Sequence, residues 1–265
     1  MIDFSGKRGL ILGVGNQRSI AWAVVERLHQ QGAELGLTFL RDPKGRFEAN
    51  VRNLGEQTNA TLIAECDVAS DESIEALIKQ VDEQWGELDF LVHSLAYADT
   101  QDLSKPFSET LRDGFNKAME ISAYSLLPLA KGVIPMMRKR GGGSIVSMSF
   151  IGSTLAVPNY NVMGPAKAAL ESCTRYLARE LGPENIRINS LSPGAIRTLS
   201  SAGIKDISEM IRVAGEHSAM KRTATQAEVA NTAAFLLSNA ASGITGQLIY
   251  VCLLYTSPSP RDKRQ

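Results

Sequence analysis

Short apolar segments alternate with amphipathic segments along most of the chain, and this alternation constrains the fold more than any other feature. The apolar segments have the length of buried strands, whereas the segments between them repeat apolar residues every three or four positions, as helices do. The alternation predicts an α/β protein, a Rossmann-like doubly wound parallel sheet of about seven strands with helices on both faces of a single domain. Strands are predicted at 8–14, 35–40, 61–65, 88–92, 144–148, 186–191 and 246–251.

Between these strands, residues 107–139 form the longest predicted helix, with a kink at Pro128. Its apolar residues fall on more than one side, so we expect it to pack against both the sheet and another subunit. Residues 225–228 (TQAE) form a capping box that opens the last predicted helix.

The charge and cysteine content exclude several classes of protein. Lysine plus arginine and aspartate plus glutamate number 28 each, without the basic excess of nucleic-acid-binding proteins. Three separated cysteines and three histidines without ligand spacing predict neither a disulfide framework nor a metal site. No run of 18 apolar residues and no signal peptide are seen, so we expect a cytoplasmic protein without a membrane span.

The turn after the first strand is typical of a phosphate-binding loop. Gly13 and Gly15 permit a tight turn, and Ser19 and Ile20 open the following helix, whose N-terminus can face a diphosphate. Arg18 stands where GxGxxG motifs have their third glycine, so a purely structural turn is the alternative.

The ends of the second and third strands are candidate adenosine contacts. Arg41 follows Leu40 after the second strand, where an arginine favours NADPH and an acid favours NADH, although a solvated turn residue is the alternative. Asp67 can bond adenine or cap the next helix, a role for which Ser70 and Asp71 compete.

Tyr160 and Lys167 are the candidate catalytic pair. On one helix, seven positions would bring them within about 20° of the same face, where an ammonium lowers the cost of charge on a phenol. The alternative is a packed tyrosine near a solvated lysine. Pro165 fits the first turn of a helix, which would start near Gly164 and leave Tyr160 just before it. His93 is interpreted as a satisfied core residue.

With these elements placed, the chain resembles the short-chain dehydrogenase/reductase superfamily and, within it, the NADH-dependent bacterial enoyl-ACP reductases. Four segments carry the resemblance: GVGNQRSIAWAVVERL, CDVASDESI, PNYNVMGPAKAALES with its Tyr-x6-Lys spacing, and INSLSPGAIRTLSSAGIKD. The resemblance implies hydride transfer from NADH, with NADPH as the alternative cofactor, to a trans-2-enoyl thioester in the elongation cycle of bacterial type II fatty acid biosynthesis. It further implies acyl carrier protein as partner and a homotetramer.

The resemblance also assigns residues. Tyr160 donates a hydrogen bond to the thioester oxygen, Lys167 holds the nicotinamide ribose, and Phe150 replaces a second tyrosine of many members. Ala98 lies near the substrate. The implied cofactor-binding residues are Gly13, Ser19, Ile20, Leu40, Asp67, Val68, Leu95, Lys167, Ile196, Arg197, Thr198, Leu199 and Ser200.

Three segments complete the interpretation. Residues 1–251 are the expected reductase domain, with a substrate lid at about 195–220 for which an ordinary surface helix is the alternative. Arg197, Lys205 and Arg212 near the lid are candidate contacts for the acidic carrier protein. Residues 252–265 resemble nothing in the family and are expected to be a disordered or non-native tail.

Two other functions stay open. One is a short-chain reductase of ketones or alcohols, and the other is a non-catalytic nucleotide-binding protein.

Overall fold

Seven parallel strands form one sheet in the order β3-β2-β1-β4-β5-β6-β7, in a computed structural model that describes residues 2–254. The strands are β1 Arg8–Leu12, β2 Glu34–Phe39, β3 Leu62–Glu65, β4 Phe90–His93, β5 Gly143–Met148, β6 Ile186–Pro193 and β7 Leu248–Val251. Most strand residues are buried, because helices cover both faces of the sheet. The predicted doubly wound α/β fold is confirmed.

Nine α-helices connect the strands within the described residues. They are α1 Ile20–Gln30, α2 Arg46–Gln57, α3 Asp71–Trp85, α4 Thr100–Ser104, α5 Arg112–Met119, α6 Leu126–Lys139, α7 Met163–Leu181, α8 Ile207–His217 and α9 Gln226–Leu237. Buried side chains of α1, α2 and α9 form one core with the sheet, and those of α3, α6 and α7 form a second core on its other face. The capping box of Thr225 and Glu228 opens α9 as predicted.

The helix predicted over 107–139 is largely confirmed, but it begins at Arg112 and is not uniform. A short 3-10 turn at Phe107–Glu109 precedes it, and a π-helical stretch at Glu120–Tyr124 joins α5 to α6. Pro128 follows this stretch closely and has no N–H to donate to the preceding turn. The irregularity that was expected at Pro128 therefore lies just before it, as a change from α- to π-helical hydrogen bonding.

The end of the described chain is a turn after β7. The backbone oxygen of Leu253 accepts a hydrogen bond from the backbone N–H of Ala219, over 3.0 Å. The remainder of the predicted tail, 255–265, lies outside the described residues.

Candidate active site

A cleft lies at the carboxyl ends of β1, β4, β5 and β6, where the strand order reverses direction at the β1–β4 pair. Such a switch point is where ligands of open α/β sheets bind. The cleft has a volume of about 300 Å³. A larger cavity of about 770 Å³ lies at the opposite, amino-terminal ends of the strands. We assign the site to the smaller cleft because it contains Tyr160 and Lys167.

Gly13 allows the backbone after β1 to pass close to the backbone after β4. Its φ is +92°, and a Cβ there would lie 2.0 Å from the backbone oxygen of Ser94. No side chain fits this position, so glycine is required for the crossing. Ser19 then caps α1, because its hydroxyl accepts from the backbone N–H of Trp22 at 3.0 Å. Gly13, Ser19 and Ile20 all line the cleft.

Tyr160 precedes α7, which begins at Met163. Tyr160 and Lys167 therefore do not share a face of one helix; the alternative predicted from Pro165, a helix that starts near Gly164 and leaves Tyr160 just before it, is confirmed. Both residues line the same cleft. Asn159 and Asn161 on either side of Tyr160 adopt left-handed backbone conformations that a helix cannot contain. The turn, together with the start of α7, delivers the phenol to the cleft.

The phenol of Tyr160 is held in its neutral form. Its side chain is 8% exposed. Burial raises its pKa above the ordinary value, and the nearby Glu171 carboxylate raises it further. A neutral phenol is a hydrogen-bond donor, which is the form that an oxyanion requires.

Lys167 lies in the first turns of α7 and is 3% exposed. Its ammonium donates to the backbone oxygens of Met148 at 2.7 Å and Leu95 at 3.0 Å. An ammonium has three N–H donors, so one remains for a ligand in the cleft. Burial lowers the pKa of Lys167 to about 8, while the Glu171 carboxylate acts in the opposite direction. The alternative of a solvated lysine is excluded.

Glu171 was missed by the sequence interpretation. It lies four residues after Lys167 on α7, is 6% exposed, and accepts a hydrogen bond from the hydroxyl of Ser149. Residues four apart share a helix face, and Ser149 directly follows β5, so both could have been found from spacing and strand position. The carboxylate raises the pKa of both Tyr160 and Lys167.

Apolar side chains form the rest of the cleft. The ring of Phe150 lies 4.8 Å from that of Tyr160, centroid to centroid. Predicted residues that line the cleft with them are Ala98, Leu95, Ile196, Thr198 and Ser200. Ile204, Ile207 and Met210, which also line the cleft, belong to the lid predicted at about 195–220, whereas Leu103 and Met163 were missed by the sequence interpretation. Their contribution depends on distant segments coming together, which no local pattern indicates.

Five predicted cofactor residues lie outside the lining of the cleft. Leu40 is 50% exposed after β2, and Val68 is buried below the surface. Asp67 accepts from the backbone N–H of Ala69, while Ser70 caps α3, so the capping role predicted as an alternative for Asp67 belongs to Ser70. Arg197 donates to Ser208, and Leu199 is 45% exposed.

His93 is a buried core residue, as interpreted from the sequence, but it is not fully satisfied, because its Nδ1 has no hydrogen-bond partner among the described residues. It is fully buried, and its Nε2 lies 2.8 Å from the hydroxyl of Ser125. Burial lowers its pKa to about 3, and the Lys167 charge acts in the same direction. A neutral imidazole at this position does not exchange protons at neutral pH.

One of the three basic residues expected to contact an acidic partner, Arg212, is neutralised by neighbouring carboxylates. Arg212 pairs with both Glu209, at 2.6 Å, and Glu216, at 2.5 Å. Arg197 donates to a serine hydroxyl on α8. Of the three residues proposed for contact with an acidic partner, Arg212 is the one whose charge is fully matched within its own helix.

Residues 2–254 show neither a membrane-spanning helix nor a metal-binding cluster. No helix there is long and apolar enough to cross a membrane. No group of three or more histidine, cysteine, aspartate or glutamate side chains is arranged there to hold a metal ion.

Comparison with known proteins identifies close relatives. Residues 13–253 match the family model described as enoyl-(acyl carrier protein) reductase. The chain is 50% identical over 251 residues to the enoyl-[acyl-carrier-protein] reductase [NADH] FabI of Synechocystis sp., covering 95% of this chain and 96% of that protein.

Two solved structures share the fold over almost the whole chain. The enoyl-(acyl-carrier-protein) reductase of Anaplasma phagocytophilum, in complex with NAD, superposes with a TM-score of 0.90 at 38% identity, covering 95% of this chain and 94% of that one. The Bacillus cereus enoyl-acyl carrier protein reductase, with NADP+ and indole naphthyridinone, has a TM-score of 0.90 at 40% identity, covering 96% and 97%.

Proposed function

The chain belongs to the enoyl-(acyl carrier protein) reductase family, and we propose that Tyr160 and Lys167 carry this activity here. The reaction reduces the trans-2 double bond of an enoyl chain on acyl carrier protein with NADH, in the elongation cycle of bacterial type II fatty acid biosynthesis. The observation that carries the proposal is the presence of a neutral phenol and a buried ammonium in one cleft at the switch point of the sheet.

The residues of the cleft suit a nicotinamide dinucleotide. Gly13 lets the backbone approach a diphosphate, and the N-terminus of α1 offers N–H groups and a positive dipole to it. The remaining N–H donor of Lys167 suits a ribose hydroxyl. When bound, NADH supplies the hydride for the β-carbon of the enoyl chain. Ile196, Thr198 and Ser200 are the proposed cover of the nicotinamide end.

Tyr160 stabilises the charge that forms on the substrate. Hydride addition at the β-carbon of an enoyl thioester moves negative charge to the thioester oxygen, and a neutral phenol can donate a hydrogen bond there. Burial keeps the phenol protonated and excludes the water that would compete for this oxygen. Protonation at C2 then completes the reduction.

Lys167 orients the ribose and adds positive charge to the site. One of its backbone acceptors, Met148, ends β5, and the other, Leu95, follows β4. The ammonium is therefore fixed relative to the sheet. Phe150 packs against Tyr160 and restricts its ring, although it has no hydroxyl for the substrate. The apolar lining residues Leu103, Met163 and Ile204 are the proposed contacts of the acyl chain, and Ala98 lies beside it.

Several wider features belong to the same proposal. Residues 1–251 form the reductase domain, and residues of about 195–220 form the substrate lid, supported by Ile207 and Met210 of α8 lining the cleft. A homotetramer and a cytoplasmic location are further parts of the proposal.

Substrate choice tests the proposal. Purified protein is given NADH with a trans-2-enoyl thioester or with the 3-ketoacyl thioester of the same chain length, and NADH absorbance is followed. We expect oxidation with the enoyl substrate and a saturated acyl product. Turnover of the ketoacyl thioester alone would contradict the proposal and indicate a ketone reductase, whereas NADH binding without either turnover would indicate a non-catalytic binding protein.

A further inference from the structure

Arg41 and Glu65 form an ion pair beside the predicted adenosine end of the site. Arg41 follows β2 by two residues, and Glu65 ends β3. The two strands pair in parallel, with Phe39 opposite Glu65, so their carboxyl ends are adjacent. An Nη2 of Arg41 lies 2.7 Å from an Oε2 of Glu65.

This location decides which dinucleotide a Rossmann-like site accepts. The segment after the second strand faces the adenosine ribose, where an acid bonds the 2′-hydroxyl of NADH and an arginine accepts the 2′-phosphate of NADPH. Leu40, the first residue after β2, offers neither group. Arg41 alone would favour NADPH, but its guanidinium is already bonded to a carboxylate.

We propose that Glu65 makes this chain prefer NADH over NADPH by holding Arg41 in an ion pair at the end of β2. This inference rests on the proposed function, because it concerns the same cofactor site. We assign the preference for NADH over NADPH to the ion pair of Arg41 and Glu65.

Glu65 acts in two ways. A 2′-phosphate carries about two negative charges, so the carboxylate of Glu65 repels it directly. To bind the phosphate, Arg41 must also leave its present partner. Neither effect changes the binding of NADH, because its 2′-hydroxyl is uncharged. Both groups are partly exposed, with side-chain exposures of 65% for Arg41 and 41% for Glu65, so solvent and salt moderate the effect.

Two other charged side chains near the turn, those of Asp42 and Arg52, have partners of their own. Asp42 accepts from the backbone N–H groups of Lys44 and Phe47, which ties it to the turn before α2. Arg52 pairs with Glu48 on its own helix and lies over the ring of Phe39. Lys44 and Arg46 are further cations of this segment, so the experiment must separate Arg41 from them.

The test compares dissociation constants for NADH and NADPH, measured by fluorescence titration of the reduced cofactors without substrate. The variants are Glu65→Gln, Arg41→Gln and the double variant. Glu65→Gln is expected to tighten NADPH binding about three- to fivefold, the upper end of the range for one charged contact at a protein surface, and to change NADH binding less than about twofold. Arg41→Gln is expected to weaken NADPH binding further.

The double variant identifies the cation. If Arg41 is the released group, the tightening by Glu65→Gln disappears when Arg41 is also replaced. The tightening is also expected to shrink as salt rises from about 0.05 to 0.5 M, because screening weakens contacts between exposed charges. Glu184→Gln is the matched control, because it removes another exposed partner of an arginine, Arg138, near the amino-terminal end of β6.

Two results would overturn the inference. One is an unchanged ratio of the two dissociation constants in Glu65→Gln, with NADH binding retained as evidence of folding. The other is an equal tightening of NADPH binding in the double variant. That result would assign the effect to Lys44, to Arg46 or to the loss of the negative charge of Glu65 by itself. Failure of the proposed function has a different signature, since wild-type protein would then bind NADH without reducing an enoyl thioester, or bind neither cofactor.

Discussion

Replacing Glu171 by glutamine should weaken the binding of NADH at neutral pH, because Lys167 would lose its positive charge. Glutamine keeps an acceptor for the hydroxyl of Ser149 but removes the negative charge one helical turn from the ammonium. At a separation of about 6 Å and an effective dielectric constant of about 20, that charge contributes about 2.8 kcal/mol. The loss would lower the pKa of Lys167 from about 8 to about 6.

The consequence is a change in the pH dependence of NADH binding. At pH 7 the charged fraction of Lys167 would fall from about 0.9 to about 0.1, so the dissociation constant for NADH should rise about tenfold. At pH 5.5 both proteins carry mostly charged lysine, and their dissociation constants should agree within about twofold. His93 and Tyr160 also face the ammonium, but the pKa of His93 is about 3 and that of Tyr160 is raised, so neither titrates in this range.

The assay is fluorescence titration of NADH from pH 5.5 to 9, with Glu180→Gln as control because Glu180 is an exposed acid on the same helix. The pH at which binding weakens should move down by about two units in Glu171→Gln and stay unchanged in the control. A weakening that is the same at every pH would refute the electrostatic argument and leave Glu171 with a packing role only.

Three further predictions concern stability, measured by denaturant unfolding without cofactor. Because the folded pKa of Lys167 is about 8 and its ordinary value is 10.5, the unfolded chain binds more protons between these values, so wild-type stability rises with pH across that window. Lys167→Met should remove this rise with pH; an unchanged rise would contradict it. Burial raises the pKa of Asp89, but hydrogen bonds from Arg140, Arg8 and Lys7 outweigh burial and leave it below the ordinary 3.8. Asp89→Asn should lower stability at pH 7 by about 2–4 kcal/mol, with the difference shrinking as pH falls through the folded pKa; equal loss at low pH would contradict this. Gly13→Ala should cost at least about 2 kcal/mol, because its Cβ would meet the backbone of Ser94, and wild-type stability in this variant would contradict the close approach.

Local chemistry explains which elements could be predicted from the sequence. The capping box at Thr225 and the buried strands each depend on neighbouring residues, and both were correct. The glycine turn after β1 was also predicted, because a close backbone approach at Gly13 requires a residue without a side chain. Short-range patterns are sufficient for such features.

Long-range contacts explain what the sequence interpretation missed. The position of Tyr160 before α7 was predicted from Pro165, but the contacts that hold the turn were not: the side-chain amides of Asn159 and Asn161 donate to the backbone oxygens of Lys205 and Lys105. The π-helical stretch before α6 lies beside another such contact, since the hydroxyl of Ser122 accepts from the backbone N–H of Tyr97. These partners are 25 to 56 residues apart, so no local propensity could indicate them.

The ion pair of Arg41 and Glu65 shows the same limit at the site itself. The sequence placed Arg41 where it favours NADPH, but only the pairing of β2 with β3 reveals its partner. A charge at a decisive position therefore indicates cofactor choice only together with the groups that surround it.

The central claim is that the Tyr160 hydroxyl stabilises the reacting thioester oxygen. The most direct measurement is the rate of NADH oxidation at saturating trans-2-enoyl thioester by wild type, Tyr160→Phe and the matched control Tyr176→Phe, whose ring is 76% exposed. We predict that kcat falls about 10²–10³-fold in Tyr160→Phe, with NADH binding retained, and stays unchanged in the control. A Tyr160→Phe protein that keeps kcat within about threefold of wild type would contradict the claim.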